Sequence, residues 1–480
     1  MRPRLNAAIF GVLFACGGAQ TTSDATPPDT TATSTATATA TSTQTGADAS
    51  TSSPDATSKP TSTAAVPPPP GDRNRFIGGM QWDGSGKRMV LYCKDECKGP
   101  RLNVHLWDVG AEAITSVDVI PDTKGQAVRL VSWSPRGNYL FGSAGDKLVV
   151  TTVDGKPFTV IDAPAVYDQF EPSPDESRLA WANAQGELHL VDMKTKADTK
   201  EAQLHAADAA DSHFFEWSSQ NDWFLVGSLN STQWSVFDVK AKKLKALPAN
   251  IVFARPSATG DAIVAAGADG FVGLLDPKTT NVRATIRKGR TVKAGETPQI
   301  AAALSVDGKK LVVASTDLVV FDLEAKSANT IVGKLEATFP AIAAISPLGT
   351  EIALESGGDV LVVDTKVATA PPRVAASKLV GYGADGTLVL KGDKLVLMGF
   401  RKGEAAWSVK LPEDPASMAF DPSHDRLAFT VAGRLRIVRI ASGKSVLFEL
   451  VSKDKGKTTQ VMPIGITKKE DVDAVLRSSP

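Results

Sequence analysis

From Phe76 to about residue 451 the chain alternates short apolar runs with small polar breaks. The runs are four to six residues long and rich in Val, Leu, Ile and Phe, and the breaks hold Gly, Asp and Pro. Runs of that length and composition predict β-strands rather than helices. Laid against itself, the chain repeats one unit. An apolar strand leads into Ser-Pro-x-Gly or a relative, then a second strand, a short polar turn, and a third strand ending in an apolar residue and Asp. Trp133-Ser134-Pro135-Arg136-Gly137 leads to Tyr139-Leu140-Phe141 and on to Lys147-Leu148-Val149-Val150. Leu304-Ser305-Val306-Asp307-Gly308 and Ile345-Ser346-Pro347-Leu348-Gly349 open two further clear copies. Weaker copies begin near Trp82, Phe170, Trp217, Arg255, Tyr382 and Phe420, which makes nine units. The closing Asp recurs at Asp108, Asp154, Asp192, Asp238, Asp276, Asp322 and Asp364, at intervals of 46, 38, 46, 38, 46 and 42 residues. The last two units, around Met398 and Arg439, lack it.

The turns have a local chemistry: Pro presets φ, Gly takes positive φ, and Ser or Asp caps nearby backbone. Each unit has room for four strands in about 40 residues. A lone four-stranded sheet leaves its apolar faces open, and stacking such sheets radially around an axis covers them. The prediction is an all-β chain: a single β-propeller of four-stranded blades, eight or nine of them. Ring closure is expected to pair segments near Phe76 and Phe448.

Val131-Ser132-Trp133-Ser134-Pro135-Arg136-Gly137 and Met418-Ala419-Phe420-Asp421-Pro422 resemble bacterial WD40-like and TolB-like propeller repeats, over about residues 75–451. Trp107-Asp108 is a literal Trp-Asp ending, and Phe237-Asp238 and Phe321-Asp322 are close to it. The Gly-His dipeptide of WD40 units is absent, so the resemblance does not carry over their buried His-to-Asp network.

The N-terminus reads as an address. Arg2 and Arg4 precede the apolar run from Ala7 to Ala15, too short for a spanning helix and suited to a secretory signal peptide. Leu13-Phe14-Ala15-Cys16 resembles the bacterial lipobox, with Phe14 where a small residue is usual. The resemblance implies that Cys16 becomes a lipidated N-terminus, and several acyl chains anchor stably. In the lipoproteins it resembles, Asp after the Cys favours inner-membrane retention, so the resemblance implies from Gly17 an outer-membrane location. Residues 21–70 hold 16 Thr, no aromatic residue and a closing run Pro67-Pro68-Pro69-Pro70. Such a stretch buries too little to order itself and is expected to be a disordered tether. The expected division is a leader over 1–15, lipidated Cys16 and tether over 16–72, the propeller over 73–452 and a tail over 453–480. The tail is expected to hold a short helix at Lys469–Leu476.

Charge narrows the options. The 53 Lys and Arg balance 53 Asp and Glu, which leaves no overall basic field for nucleic acid. Cys93 and Cys97 flank a hairpin loop, and outside the cytoplasm such a pair is expected to form a disulfide. No zinc-spaced Cys or His set, GxSxG or HExxH is present, so no metal, cofactor or catalytic residue is assigned. Gly381-Tyr382-Gly383-Ala384-Asp385-Gly386 matches GxGxxG in form, but a strand-like run follows where a dinucleotide site needs a helix, so it reads as a turn. His205 and His213 are placed to meet in a loop between units. Trp82, Trp133, Trp217 and Phe420 occupy equivalent places, either as a binding ring or, as expected here, as filling between blades.

The function expected from these features is a lipid-anchored cell-envelope scaffold with a protein or polymer partner. Two alternatives stand beside it. One is an envelope enzyme, lactonase-like or carbohydrate-active, which a carboxylate cluster in the central channel would favour. The other is a TolB-like assembly component.

Overall fold

The computed structural model describes residues 79–92, 103–111, 115–118, 128–144, 147–154, 156–162, 170–183, 185–205, 213–228, 233–290, 300–305, 308–315, 317–332, 342–347, 349–356, 359–365, 373–375, 378–392, 395–401, 404–453, 458–465 and 468–477. Its strands form nine antiparallel sheets, each built from consecutive strands, which makes a nine-bladed propeller. The first strands are Gly79–Trp82, Val128–Trp133, Phe170–Pro172, His213–Trp217, Ile251–Pro256, Ala301–Leu304, Ile342–Ile345, Lys378–Tyr382 and Ser417–Phe420, numbered here as blades 1 to 9. All nine sequence units start a blade, so the count of eight or nine resolves to nine.

Burial is deepest in the second strands and falls from there toward the rim. The second strands Ile263–Gly267 and Arg426–Val431 are buried at every residue, whereas the fourth strand Asp198–Gln203 is polar and largely exposed. A middle strand is covered on both faces, so it reads as a continuous apolar run rather than an alternating one. The core lies between blades. Phe141, Leu148 and Val150 of blade 2 pack with Phe170, Leu179 and Trp181 of blade 3, and equivalent clusters fill the junctions up to blade 9.

The turn after each first strand is the same structure nine times. Its opening residue is Asp83, Ser134, Ser173, Ser218, Ser257, Ser305, Ser346, Gly383 or Asp421, and in each case its carbonyl accepts the amide three residues on. In the Asp turns and every Ser turn but that of Ser218 the side chain also caps the hairpin: Ser134 Oγ accepts from the Tyr139 amide and Asp421 Oδ1 from the Arg426 amide. The third residue after the opening one has positive φ. It is Gly in six blades, such as Gly137 at +75°, but Glu176, Asn221 and His424 in blades 3, 4 and 9.

These three side chains explain why glycine was replaced. Glu176 accepts from the Arg136 amide and Asn138 Nδ2 of blade 2, at 2.5 and 2.7 Å. Asn221 accepts from the Asp175 amide of blade 3, at 3.1 Å. The His424 ring lies 2.9 Å from the Tyr382 carbonyl of blade 8. Each strained position therefore clasps the preceding blade, an interaction that offsets the conformational cost.

At three of the six glycine positions the preceding blade reaches forward instead. Arg88 donates to the Gly137 carbonyl, Trp223 to that of Gly260 and Arg426 to that of Gly86, at 3.0, 2.9 and 2.6 Å. All three donors sit five residues after their own turn's opening residue.

Two expectations change. Among the described residues ring closure involves no strand exchange: Phe448 pairs with Leu435 and Pro463, inside blade 9. Blade 9 already receives four strands from its own unit, so no vacancy exists for an N-terminal strand. Phe76 itself lies outside the described residues. The tail is also more than an appendage. Strand Ser445–Lys453 runs past the expected boundary, and Thr458–Ile464 adds a fifth strand to blade 9. The expected helix Lys469–Leu476 is present and buries Val475 and Leu476 against blades 1 and 9.

Closure is made by packing. Met80, Trp82, Met89 and Trp107 of blade 1 share one cluster with Leu435, Ile437 and Phe448 of blade 9. The Trp107 and Phe448 rings lie 5.1 Å apart, and Trp82 Nε1 donates to the Ala419 carbonyl at 3.3 Å.

Candidate functional site

Neighbouring blades converge at their first strands, blade 1 on blade 9, blade 3 on blade 4 and blade 6 on blade 7. These strands therefore line the axis. Two residues ahead of each turn's opening residue stand Gln81, Ser132, Glu171, Glu216, Arg255, Ala303, Ala344, Gly381 and Ala419. One half of this tier, blades 1 to 5, is polar or charged; the other half, blades 6 to 9, carries only Ala and Gly. All but Gly381 are partly open to solvent, as wall positions of an axial channel should be.

The charged part is a row of three on successive blades. Arg255 NH1 meets Glu216 Oε2 at 2.6 Å, with both side chains about one third exposed (32% and 29%). Glu216 is pulled two ways: burial raises its carboxyl above the usual range and the Arg255 cation lowers it, with burial the stronger. Glu171, on the other side of Glu216, has no such cation. Burial first, and the Glu216 charge second, push it up to about 8. At neutral pH Glu171, pushed up to about 8, is a protonated acid, and beside it stands the Glu216–Arg255 ion pair. The row can donate to an acceptor from Glu171 and accept at Glu216, and above pH 8 it gains a negative charge.

This row was not singled out from sequence. Its residues are separated by 45 and 39 positions, and Arg255 was noticed only as the start of a unit. The signal that finds it is the register: all three fall two residues before a turn.

The aromatic residues in equivalent places fill the blade junctions rather than form a binding ring. Trp82, Trp133 and Trp217 are 5–7% exposed. Their indole N–H groups donate to carbonyls of the preceding blade, those of Ala419, Gln81 and Glu171. Phe420 is half-buried and its ring stacks on His424 at 5.0 Å. His205 and His213 do meet, their rings stacked 5.1 Å apart. Among the described residues no group of three or more His, Cys, Asp and Glu side chains is placed to hold a metal ion. The Gly381–Gly386 segment ends one strand, turns, and enters strand Leu388–Gly392, with Asp385 capping the Thr387 amide. The repeated closing Asp is structural: Asp192 and Asp276 each accept two amides of the turn that follows, at 2.8–2.9 Å. Cys16, Cys93 and Cys97 lie outside the described residues. Among those described, no helix is long and apolar enough to cross a membrane.

The fold defines a class, a nine-bladed β-propeller, and a comparison with one solved structure agrees with that fold. No protein-family model matches the sequence, and no curated protein does. Among solved structures, the chain is similar to that of a eukaryotic initiation factor, with 12% identity, 78% of this chain and 98% of that chain covered, and a TM-score of 0.55. It is similar more loosely to the Dos1 propeller (12% identity, 76% and 92% covered, TM-score 0.45). The C-terminal WD40 domain of Sif2 stands at a like distance (11% identity, 81% and 96% covered, TM-score 0.46). At such identities the likeness speaks to the fold alone.

Proposed function

We propose that this chain is a lipid-anchored cell-envelope scaffold whose ring binds a protein or polymer partner at the charged side of its channel. The observation that carries the binding role is the row Glu171, Glu216 and Arg255 on adjacent first strands, facing a half-ring of Ala and Gly. A donor, an acceptor and a cation in one row suit a partner rich in amide or hydroxyl groups. The anchor rests on Arg2, Arg4, the apolar run and Cys16, and the tether between them and the ring provides reach. The test is cross-linking in intact cells with tagged full-length chain, followed by identification of what copurifies. A specific envelope protein or polymer, lost with both Cys16→Ala and Glu216→Gln, is the expected result. Equal recovery with Glu216→Gln would remove the channel from the binding role, and the absence of any enriched partner would sink the scaffold reading.

One observation favours a second reading, an envelope hydrolase. A carboxylic acid whose pKa is pushed up to about 8, on the strand next to a second carboxyl group, is the kind of pair that general acid–base chemistry uses. Purified chain assayed on lactones and glycosides would then show turnover that falls above pH 8 and is lost in Glu171→Gln. No turnover across those substrate classes discards it.

A further inference from the structure

Residues 239–290, from the outer hairpin of blade 4 through blade 5, hold ten Lys and Arg against three Asp, in a chain whose total charge is zero. Most of these cations lie on two outer strands and their turns. Strand Lys243–Ala246 closes blade 4, with Lys240 and Lys242 in the turn before it. Strand Val282–Arg287 closes blade 5, with Lys278 before it and Lys288 after it. The Lys245 ammonium donates to the Lys278 carbonyl, which links the outer strand of blade 4 to the turn before the outer strand of blade 5.

Neighbouring carboxylates neutralise part of this charge. Glu201 holds Lys242, Asp276 holds Arg283 and Asp317 holds Arg287, at 2.9, 2.6 and 3.0 Å. Lys240, Lys243, Lys278 and Lys288 remain exposed and form no ion pair with any described residue. Val282 stands among them and is 47% exposed; Met462 is the one other exposed large hydrophobic among the described residues.

We propose that this edge docks the ring on a bilayer surface that carries anionic headgroups. Lysine stems can lie along the headgroup boundary while their ammonium groups reach phosphates. Each cation held near an anionic surface strengthens binding about fivefold. An outward Val adds an apolar contact that a bilayer offers and a dissolved polyanion does not. Both strands are the outermost of their blades, so the lysines reach a surface without any strand having to move. The proposal rests on the reading of the chain as membrane-anchored, because tethering raises the local concentration at which weak contacts act.

The experiment uses full-length chain carrying Cys16→Ala, so that no acyl chain contributes. It measures partitioning onto vesicles of phosphatidylcholine alone and onto vesicles containing about one third phosphatidylglycerol. Binding is expected on the anionic vesicles only, and to weaken with salt. The combined change Lys240→Glu, Lys243→Glu, Lys278→Glu and Lys288→Glu should reduce it on the order of a hundredfold or more. Val282→Ser, in the same background, should reduce it by a few-fold. Unchanged thermal unfolding of both variants would show that the fold is intact, and these exposed positions make that the expected outcome. Equal binding to neutral vesicles, or no loss in the four-site variant, overturns the proposal. So does binding to a soluble polyanion such as heparin without binding to anionic vesicles, which would assign the edge to a polymer. Acyl labelling of Cys16 in cells is read separately, so failure of the anchor and failure of the edge are distinguishable.

Discussion

The junction between blades 9 and 1 closes the ring, and the junction between blades 1 and 2 is an ordinary step along the chain. Both use one device. An Asp opens the turn, an Arg five residues later pairs with it, and that Arg reaches the next blade's turn glycine and lies over the next blade's Trp. In blade 1, Arg88 meets Asp83 at 3.1 Å and Gly137 at 3.0 Å, and its guanidinium lies 5.0 Å from the Trp133 ring centre. In blade 9, Arg426 meets Asp421 at 2.9 Å and Gly86 at 2.6 Å, and lies 4.6 Å from the Trp82 ring centre.

The difference is the cover. The Arg88 side chain is 32% exposed, and that of Arg426 only 3%. The C-terminal helix roofs the closing junction, and its Leu476 carbonyl takes the remaining Arg426 donor at 2.6 Å. Arg439 holds the same helix end through the Ala474 and Arg477 carbonyls, at 3.2 and 2.5 Å. An ordinary junction is also held by chain connectivity. The closing one has only its contacts, and the helix supplies more of them. Low dielectric strengthens the buried pair and makes a broken one costly.

The largest expected effect follows directly. Arg426→Ala should destabilise the protein by about 3–5 kcal/mol, because it leaves Asp421 buried and uncompensated. Arg88→Ala should cost less, about 1–3 kcal/mol: Asp83 is as buried as Asp421 but keeps the Ser85 hydroxyl and the Lys87 and Arg88 amides as donors, and solvent already reaches the Arg88 guanidinium. Urea unfolding of both variants checks the contrast, and equal losses would mean that the roof has no energetic role. Ending the chain after Gly465 should come next, at about 2–4 kcal/mol, through exposed apolar surface and the lost Arg426 partner. Limited proteolysis should then cut first in blades 1 and 9, and a cut in the middle blades instead would count against a seam held by the helix.

A change in the channel should be smaller and dependent on pH. Glu171 is raised to about 8 in the folded protein, so the folded state binds a proton that the unfolded chain has released between its ordinary value and pH 8. Its contribution is full below about 4.5 and is lost as pH rises through about 8. Glu171→Gln should therefore gain about 1–2 kcal/mol relative to the native chain at pH 9, less than the full shift would give because solvent reaches the side chain, and show no gain at pH 4. Parallel stability curves would show that Glu171 titrates normally. The smallest expected effect is Asp276→Ala, about 1 kcal/mol from lost turn capping, visible as a small fall in Tm.

The comparison also shows what could be read beforehand. The turn motifs Trp133-Ser134-Pro135-Arg136-Gly137 and Ile345-Ser346-Pro347-Leu348-Gly349 located first strands because the chemistry of a turn is local to it. The pair Asp83 and Arg88 repeats at Asp421 and Arg426 with the same spacing, but spacing does not reveal that one pair is roofed. The role of Glu176 was hidden for a similar reason: a positive φ at a glutamate is legible only once its partner across the junction is known. The channel row was legible in part, since unit register aligns Glu171, Glu216 and Arg255, whereas the proton held by Glu171 depends on burial.

The sequence by itself determined the repeat, the nine strand-opening units, the turn type and the C-terminal helix, because each follows from residues close together in the chain. The tertiary structure alone decided how the ends meet, which glycine positions became clasps, and which carboxylates face one another at the axis. Those are contacts between residues far apart in the chain, such as Arg426 and Gly86, 340 positions apart. They form only when radial stacking brings the blades together, and only then do burial and low dielectric give them their strength.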